Sequence, residues 1–436
     1  MKTLIMAGGK GTRIAQVASD IPKPMIKVCG KPILEWQIEN LKAFALTDIT
    51  LVIGHLGGVI QDYFGDGSKF GVKISYFVET SPLGTAGALF KMCLEEDFLL
   101  LCADVVMDID FERFIAFHKD HGAWATLLSH PNDHPFDSSL LVTRMDPPRE
   151  KGGLPLDTHR VVRWLNKEDD RGYCKNRVNA GVEIISPRLL EAMAENYASC
   201  HRPLPSKIDL DRDVLKPNIG TACIFAYDTP EYIKDMGTPD RYWQVERDVQ
   251  NGRVRARNLK NKQKTIFLDR DGTLTEYAGF VTHPDQLKLL PKTAEALRLI
   301  NASGYLAIVI TNQPVIARGE CTFEQLDAIH CKMESELGKE GAFVDAIYVC
   351  PHHPDRGFAG ERAEYKIDCD CRKPKPGLLL KAAEDFNIDL SASYMIGDGE
   401  RDTRAGENAG VKKTFQIARN SSDELLTAVK GILDLG

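Results

Sequence analysis

Short apolar runs that resemble strands alternate with helical patterns along the whole chain. The clearest of these runs cover residues 4–7, 50–54, 98–102, 266–268, 306–310 and 395–397. Strands that alternate with helical segments are typical of βαβ units. The pattern therefore predicts an α/β fold with mainly parallel sheets and crossover helices.

The alternation stops at residues 239–263, where a helical segment leads into a basic and polar stretch. A new strand with a glycine-bearing acidic loop follows at 265–276. A chain of 436 residues is long enough for two or more domains. We predict one domain at 1–240, a closing helix and linker at 241–263, and a second domain at 264–436.

Composition and charge narrow the class of protein. The chain is 43% hydrophobic and 27% charged, close to globular averages, and its 55 basic against 62 acidic residues give a net charge of −7. Such a charge does not attract nucleic acid or anionic lipid as a whole. The amino-terminal apolar run is too short for a signal peptide, and no run reaches the roughly 20 residues of a membrane span. We predict a cytoplasmic protein that acts on small molecules, without nucleic-acid or membrane partners; a homo-oligomer stays open.

The first glycine-rich loop directly follows the first predicted strand. Backbone N–H groups of such a loop can close around a phosphate, and basic side chains add charge. The spacing is neither that of a P-loop nor that of a dinucleotide fingerprint, and alone it fits a simple glycine turn equally well. The loop runs through Ala7, Gly8, Gly9, Lys10, Gly11, Thr12 and Arg13.

Further blocks give this loop a context. Prolines on both sides of Lys23 stiffen the backbone and hold that side chain in place. Together with the loop, these blocks resemble the sugar-phosphate nucleotidyltransferases, which implies a Rossmann-like, GT-A-like domain. The blocks that carry the resemblance are 22–25, 30–34, 83–87, Asp104, 179–182 and 235–239.

The resemblance implies that a sugar 1-phosphate oxygen attacks the α-phosphorus of a nucleoside triphosphate, a reaction that needs alignment and charge neutralisation. Asp104 and Asp235 would hold Mg²⁺, and Arg13 and Lys23 would stabilise phosphate charge. The residues implied to face the nucleotide are Ala7, Gly8, Gly9, Gly11, Thr12, Gly84, Thr85 and Gly87. Those implied to face the sugar phosphate are Lys167, Asn179 and Gly181.

Two positions keep a plainer interpretation open, and a third departs from the family pattern. Asp235 could cap the turn at Gly237, and Lys167 lies in a charged run typical of a solvated face. Ala103 stands where the family has glycine, and its methyl group narrows the space beside Asp104.

In the second half, Asp269 and Asp271 come directly after a predicted strand, the usual position of a site in an open α/β sheet. A solvated turn could look similar. However, three further blocks follow in order, at 311–313, at Lys373 and at 398–402. Together they resemble the haloacid dehalogenase phosphatases, which implies a second Rossmann-like domain.

That resemblance assigns roles to the acids and their neighbours. Asp269 would attack the phosphoester, and Asp271 would protonate the leaving alcohol and then activate water. The residues implied to bind phosphate are Thr311, Asn312, Arg318, Arg372 and Lys373. Those implied to bind Mg²⁺ are Asp269, Asp271 (through its carbonyl) and Asp398. Asp402 could bind the metal indirectly or cap the next helix.

Eleven cysteines, an odd number without a small-scaffold pattern, favour free thiols and one metal site over disulfides. Four residues have zinc-ligand spacing, with a close pair at either end of the segment, and four protein ligands predict a structural Zn²⁺ that pins the loop carrying Arg372 and Lys373. His353 is the alternative histidine. The four are Cys350, His352, Cys369 and Cys371.

The zinc loop narrows the second resemblance to histidinol-phosphate and heptose-bisphosphate phosphatases, although Pro314 and Val315 stand where heptose phosphatases have Ser-Gly. Heptose phosphates would serve as substrates of both predicted activities. We expect a phosphatase that removes the 7-phosphate of D-glycero-D-manno-heptose 1,7-bisphosphate, and a transferase that joins heptose 1-phosphate, expected as the α-anomer, to GTP. The alternatives are a mannose-1-phosphate guanylyltransferase fused to a histidinol-phosphate-like phosphatase, and a regulatory nucleotide-sugar-binding module that controls the phosphatase.

Overall fold

A computed structural model describes residues 1–9 and 21–435. The chain forms two compact units. The first comprises Met1–His130, His159–Trp164 and Asn179–Asn258, and the second comprises Pro131–Thr158, Leu165–Val178 and Leu259–Gly436. Residues 131–158 and 165–178 thus belong to the second unit although they lie in the first half of the sequence. The domain boundaries drawn from sequence stay a prediction.

Each of the six apolar runs predicted as strands is part of a strand. The strands are β1 (Lys2–Met6), β2 (Lys27–Val28), β3 (Lys31–Pro32), β4 (Asp48–Ile53), β5 (Lys73–Val78), β6 (Phe98–Cys102), β7 (Val105–Asp108), β8 (Ala125–His130), β9 (Leu140–Asp146), β10 (Leu156–Leu165), β11 (Val178–Ile185), β12 (Ile224–Asp228), β13 (Tyr232–Asp235), β14 (Lys264–Leu268), β15 (Tyr305–Asn312), β16 (Ala346–Cys350), β17 (Tyr394–Gly397) and β18 (Lys413–Gln416). The helices are α1 (Ile33–Ala43), α2 (Gly57–Phe64), α3 (Phe111–Asp120), α4 (Pro187–Ser199), α5 (Pro239–Gln250), α6 (Arg253–Ala256), α7 (Thr293–Ala302), α8 (Phe323–Lys339), α9 (Gly377–Phe386), α10 (Glu400–Ala409) and α11 (Ser422–Leu435).

The sheet of the first unit has the strand order β5-β4-β1-β6-β11-β8-β12-β10. Strands β5, β4, β1 and β6 are parallel, as predicted, whereas β11 runs antiparallel to β6. The sheet is therefore mixed. Its core face carries buried apolar residues such as Ile5, Leu51, Leu99 and Val182, packed with residues of α1 and α3.

A separate ribbon of β7 and β13 lies at the end of this sheet. The two strands pair antiparallel, with Val105 opposite Asp235, and the N–H of Met236 donates to the carbonyl of Asp104 over 2.9 Å. The ribbon therefore brings the backbone of the two predicted metal-binding acids together.

The predicted closing helix is present as α5. Thr238 caps its first turn by accepting from the N–H of Arg241, and Pro239 occupies its first position. The basic stretch that follows was predicted as a linker, but it begins with the short helix α6. Two of its side chains are buried, since Val254 and Arg257 are only 4% and 2% exposed. Buried side chains hold this stretch in regular structure.

The sheet of the second unit is entirely parallel, in the order β16-β15-β14-β17-β18. One apolar cluster covers one face with residues of α7, α8 and α11, and another covers the opposite face with residues of α9 and α10. The strand order reverses between β14 and β17, where ligands bind in open sheets of this kind. The α/β prediction with two such domains is confirmed.

Residues 131–178 contribute contacts to α8 of the second unit. The N–H of Cys174 donates to Ser335 Oγ over 3.0 Å, the N–H of Asn176 donates to the Glu334 carboxylate over 2.7 Å, and Lys175 Nζ lies 2.8 Å from Asp327. Among the residues that the structure describes, no helix is both long and apolar enough to cross a membrane.

Burial makes Glu334 a source of pH dependence. It raises the pKa of the Glu334 carboxyl from its ordinary 4.5 to about 6, against the opposing effects of the Asn176 N–H, Lys175 and Arg177. The folded state thus binds more protons than the unfolded state between these values, and its stability falls as the pH rises through them.

We expect Glu334→Gln, which keeps a hydrogen-bond acceptor but cannot ionise, to remove this fall. The difference in Tm between variant and wild type should grow by a few degrees from pH 4.5 to pH 6.5, measured by scanning calorimetry. Glu340→Gln, at an exposed position just beyond α8, serves as the control. Parallel Tm profiles for wild type and Glu334→Gln would contradict the prediction.

Candidate active sites

The first site contains Lys23, Asp104 and Asp235. Lys23 opens a short 3-10 turn whose Pro24 and Met25 are buried, so the flanking prolines hold it as predicted. Its Nζ lies 2.5 Å from the Asp104 carboxylate, and the Lys23 side chain is only 12% exposed. Asp104 lies two residues beyond the last residue of β6, at the carboxyl end of the central parallel strands.

Asp235 has its own basic partner, which the sequence did not single out. Arg241 Nη1 donates to both oxygens of the Asp235 carboxylate, over 2.9 and 2.8 Å. Because Arg241 lies on the first turn of α5, that helix positions the cation. The two acids that could hold Mg²⁺ thus each face a cation in this structure.

Residues 83–87 pack against residues 208–210. Gly84 has a φ of +86°, and a Cβ there would come within 2.3 Å of the Ile208 carbonyl oxygen. The Thr85 hydroxyl accepts from the N–H of Leu210 over 2.7 Å and donates to Asp209 over 3.3 Å. Gly84 and Thr85 therefore have a structural role, which is to contact residues 208–210, in addition to any contact with nucleotide.

Other residues predicted to face the nucleotide lie at the end of β1. The N–H of Ala7 donates to the Val52 carbonyl over 2.8 Å, and a Cβ at Gly8 would come within 2.9 Å of Glu79 Oε2. A Cβ at Gly9 would meet no other described residue within 4 Å, whereas a Cβ at Gly87 would come within 2.3 Å of the Leu83 carbonyl. Gly11, Thr12 and Arg13 lie outside the described residues.

A buried acid lies beside the residues predicted to face the sugar. Glu183, in the otherwise apolar end of β11, is 2% exposed, and burial followed by the charge of Asp211 raises its pKa well above the ordinary range. Asn179 hydrogen-bonds this carboxyl, and Gly181, at a φ of +69°, brings the backbone close to Cys102. An acid within an apolar strand was the available sequence signal, and it was missed.

Asp211 belongs to the same acidic group. Burial and the charge of Asp209 raise its pKa to about 6, with Lys216 opposing the rise. Lys167, in contrast, belongs to the second unit and has a side chain that is 60% exposed, with its Nζ 3.8 Å from Glu168. That environment is the solvated face that the sequence left open as an alternative.

The second site centres on the buried ammonium of Lys373. Its Nζ donates to Asp269 Oδ1 over 2.6 Å and to the Ile310 carbonyl over 2.7 Å, and it lies 2.6 Å from Asp402. Lys373 is 2% exposed and Asp402 fully buried. Asn312 fixes the lysine backbone through two hydrogen bonds of 3.1 Å, one to its carbonyl and one from its N–H.

Asp271 is held beside this centre by Arg270 and Gln313, two residues of the motif blocks for which the sequence predicted no role. The Arg270 guanidinium donates to both of its oxygens over 3.0 and 2.9 Å, and Gln313 Nε2 donates to Oδ2 over 2.8 Å. Gln313 also donates to the Thr311 hydroxyl. Arg270 is fully buried and donates a further hydrogen bond to His330 Nε2, so His330 is neutral, in agreement with a pKa that burial lowers well below its ordinary value.

Asp269, Asp398 and Asp402 place carboxylate oxygens within 4.8 Å of one another. Within residues 1–9 and 21–435, Asp269 Oδ2 and Asp398 Oδ1 are buried and have no hydrogen-bond partner, which fits a cation-binding site made of oxygen ligands. Burial raises the pKa of Asp269 to about 6, with Asp402 and Asp271 adding to the rise and Lys373 opposing it. Arg419 Nε donates to the second oxygen of Asp398 over 2.6 Å and was not predicted.

Two arginines predicted to bind phosphate have different environments. Arg318 lies between the rings of Phe280 and Phe358, with its Cζ 4.4 and 4.1 Å from their centroids. Its guanidinium also pairs with Glu320. Arg372 instead donates to the carbonyl of His352 over 3.0 Å and so braces the predicted zinc loop.

The predicted zinc ligands come together. The Sγ atoms of Cys350, Cys369 and Cys371 lie 3.2 to 3.6 Å apart, and His352 Nδ1 lies 3.2 Å from Cys371 Sγ. Separations near these values are those of the corners of a tetrahedron around Zn²⁺. The set contains His352, the histidine predicted first, and the cluster is one that can bind a metal ion.

Comparison with known proteins assigns both units. The nucleotidyl transferase family model matches residues 2–252, and the haloacid dehalogenase-like hydrolase model matches residues 226–410. D-glycero-beta-D-manno-heptose-1,7-bisphosphate 7-phosphatase of Pasteurella multocida (strain Pm70) is 44% identical over 155 residues, which are 36% of this chain and 82% of that protein. The chain belongs to both families. It is an enzyme with a nucleotidyltransferase part and a phosphatase part, as predicted.

Two further similarities were found. D-glycero-alpha-D-manno-heptose-1,7-bisphosphate 7-phosphatase of Burkholderia mallei (strain ATCC 23344) is 36% identical over 172 residues, 39% of this chain and 89% of that protein. A crystal structure of HddC from Yersinia pseudotuberculosis complexed with GMP-PN aligns at 23% identity with a TM-score of 0.45, over 57% of this chain and 99% of that chain.

The contact of Gly84 with Ile208 can be tested by stability. We expect Gly84→Ala to lower the Tm of the transferase part clearly more than Gly30→Ala. Both positions have positive φ, +86° and +82°, but only Gly84 has backbone where the methyl group would go. The left-handed conformation alone costs about 1–2 kcal/mol at either position, so any excess at Gly84 reports the overlap. Equal Tm shifts in calorimetry would show that residues 208–210 move away without cost.

Proposed function

We propose that this chain carries out two linked steps in the synthesis of nucleotide-activated heptose. The phosphatase part removes the 7-phosphate of D-glycero-D-manno-heptose 1,7-bisphosphate. The transferase part then joins heptose 1-phosphate to GTP and releases pyrophosphate, which gives GDP-heptose. The observation that carries the proposal is one chain that unites a nucleotidyl transferase family match with relatives named heptose-bisphosphate 7-phosphatases.

In the phosphatase part, Asp269 would act as the nucleophile. Its Oδ2 has no hydrogen-bond partner, while Oδ1 is held by Lys373, so one oxygen is oriented and the other is available. Attack of a carboxylate oxygen of Asp269 on phosphorus forms an aspartyl phosphate and breaks the bond from phosphorus to the sugar oxygen. Thr311 and Lys373 would hold the transferring phosphoryl group.

Asp271 would act as the general acid and then as the general base. Once protonated, it gives its proton to the leaving oxygen; it then takes a proton from the water that attacks the aspartyl phosphate, which restores Asp269 and releases phosphate. Arg270 and Gln313 fix its orientation for both transfers. Asp269, Asp398 and the carbonyl of Asp271 would hold Mg²⁺, which when bound reduces the repulsion between the nucleophile and the anionic substrate.

In the transferase part, alignment and charge do the work. An oxygen of the sugar 1-phosphate attacks the α-phosphorus of GTP in line, and pyrophosphate leaves, so no protein nucleophile is needed. Lys23 and Arg13 would stabilise the phosphate charge, and Asp104 and Asp235 would hold Mg²⁺, which supplies further neutralisation when bound. Gly84, Thr85 and the first glycine loop would bind the nucleotide.

The sugar would lie beside Glu183, the buried acid of β11. Asn179 and Gly181 would contact it. We choose guanine as the base and the α-anomer of the sugar because, in the families that the first half resembles, GTP is used with the α-anomer. The named phosphatase relatives include both anomers, so the anomer is tested directly below.

The two chemistries should separate by mutation. Asp269→Asn should lower phosphate release from heptose 1,7-bisphosphate by at least about a thousandfold, because its side chain is no nucleophile. The same variant should still release pyrophosphate from supplied heptose 1-phosphate and GTP. Asp104→Asn should show the reverse pattern, and Asp62→Asn, at an exposed position, should leave both activities unchanged.

The measurement supplies each anomer with each of the four nucleoside triphosphates and follows phosphate, pyrophosphate and product mass. Loss of both activities in one of the two catalytic variants would refute separate centres. Faster reaction with mannose 1-phosphate than with heptose 1-phosphate would favour the guanylyltransferase alternative. Nucleotide-sugar binding without pyrophosphate release at millimolar Mg²⁺ would make the first half a regulatory module.

The sulfur and imidazole cluster gives a prediction about metal content. We propose that it holds one structural Zn²⁺ through Cys350, His352, Cys369 and Cys371, a set that leaves no ligand position for water. Cys369→Ser should lose this zinc and most phosphatase activity while pyrophosphate release persists, because the loop that presents Lys373 loosens. Metal analysis of the purified chain gives the stoichiometry, with the exposed Cys200→Ser as control. Full zinc occupancy in Cys369→Ser would contradict the ligand set.

A further inference from the structure

We infer that the loop between β9 and β10, which lies within the match to the nucleotidyl transferase family, completes the zinc centre of the phosphatase by holding the imidazole of His352. The contact is made by the backbone carbonyl of Gly152. It accepts a hydrogen bond from His352 Nε2 over 2.8 Å. This inference rests on the zinc assignment proposed above, and both partners lie in the second compact unit.

The two ring nitrogens of His352 have separate tasks. Nδ1 faces the thiol group of Cys371 at 3.2 Å and is the atom directed at the metal position. The nitrogen that binds metal must be unprotonated, so the proton belongs on Nε2, which is the atom that meets the Gly152 carbonyl. Such a partner fixes both the tautomer and the rotation of a metal-binding imidazole. The whole residue is only 7% exposed, which excludes most water from that role.

The loop fits its position closely. Gly152 is buried, with a φ of +78°, and a Cβ there would come within 2.3 Å of the Glu364 carbonyl oxygen. Glu364 belongs to a short 3-10 turn, Ala363–Tyr365, between the two halves of the zinc ligand set. The ring of Tyr365, in the same turn, lies 6.0 Å from that of His352. Gly152 therefore contacts the zinc loop at two places, the turn and the imidazole.

The zinc loop leads directly to the catalytic lysine. Arg372, next to the ligand Cys371, donates to the carbonyl of His352, and Lys373 follows with its ammonium on Asp269. A loop from the first half of the sequence thus supports the metal that holds the segment carrying Lys373. Gly152 is a positioning residue, since it touches neither substrate nor metal.

The first experiment measures zinc affinity of the full chain by competition with a chromophoric chelator. We expect Gly152→Ala to weaken binding by about tenfold or more, the effect typical of losing a partner of a metal-binding histidine. Gly172→Ala is the matched control, because Gly172 also has a positive φ, +55°, but has open space around it. Equal affinity in wild type and Gly152→Ala would overturn the inference. Absence of zinc from the wild-type chain would instead refute the zinc assignment.

A double-mutant cycle separates the hydrogen bond from simple displacement of the loop. His352→Cys offers a fourth sulfur ligand, which Zn²⁺ accepts, but has no second nitrogen for Gly152 to hold. In that background Gly152→Ala should change zinc affinity by less than about twofold. The same loss in both backgrounds would show that the loop acts on the backbone at Glu364 and not through the imidazole.

A second measurement does not depend on the affinity of any variant. In the zinc-loaded wild-type chain with ¹⁵N-labelled histidine, the His352 Nε2 proton should exchange slowly with water, because it is buried and bonded. Gly152→Ala should speed this exchange, while Gly172→Ala should not. Rapid exchange in the wild type, or equal exchange in the three chains, would overturn the inference.

Discussion

A buried ammonium group determines the architecture of the second unit. Taking a lysine out of water is costly unless its charge and its N–H groups are satisfied. Lys373 meets Asp269, Asp402 and the Ile310 carbonyl, which come from the end of β14, the first turn of α10 and the strand β15. These elements must therefore converge on one point, and the point is the switch in strand order. The same ammonium group holds Asp269 Oδ1, whereas Asp269 Oδ2 is buried without a hydrogen-bond partner among the described residues.

A buried polar group that binds one partner often has further donor or acceptor atoms, and these need partners from a neighbouring element. Arg270 orients Asp271, but its own buried guanidinium needs a further acceptor, and His330 on α8 supplies it. Helix α8 in turn offers Glu334 and Ser335 to backbone groups of residues 174–176. The zinc cluster shows the same progression, from Lys373 through Cys371 to His352 and Gly152. In both cases the series of polar contacts ends in a segment from the first half of the sequence, which explains why that segment folds with the second unit.

Features that depend on residues close together in the sequence could be predicted. The strands, the acids at their carboxyl ends and the Cys₃His set follow from period, turn residues and ligand spacing, all of which are local. The antiparallel direction of β11 and the placement of residues 131–178 depend on pairing over long separations, for which no local pattern exists. Arg241, Gln313 and His330 were missed because a partner is selected by proximity after folding. The carbonyl of Gly152 is a backbone atom that no residue type identifies beforehand.

The two centres treat their carboxylates differently, and the chemistry explains the difference. Side chains of Asp104 and Asp235 are 34% and 39% exposed, whereas those of Asp269, Asp398 and Asp402 are at most 4% exposed. In the proposed phosphatase a carboxylate must itself attack, and removing it from water strips the solvent that would otherwise shield it. In the proposed transferase the nucleophile arrives with the sugar, so the carboxylates need only hold a metal ion that keeps part of its hydration shell. A solvent-exposed pair of acids therefore suits metal binding in the transferase, and a buried carboxylate suits nucleophilic attack in the phosphatase.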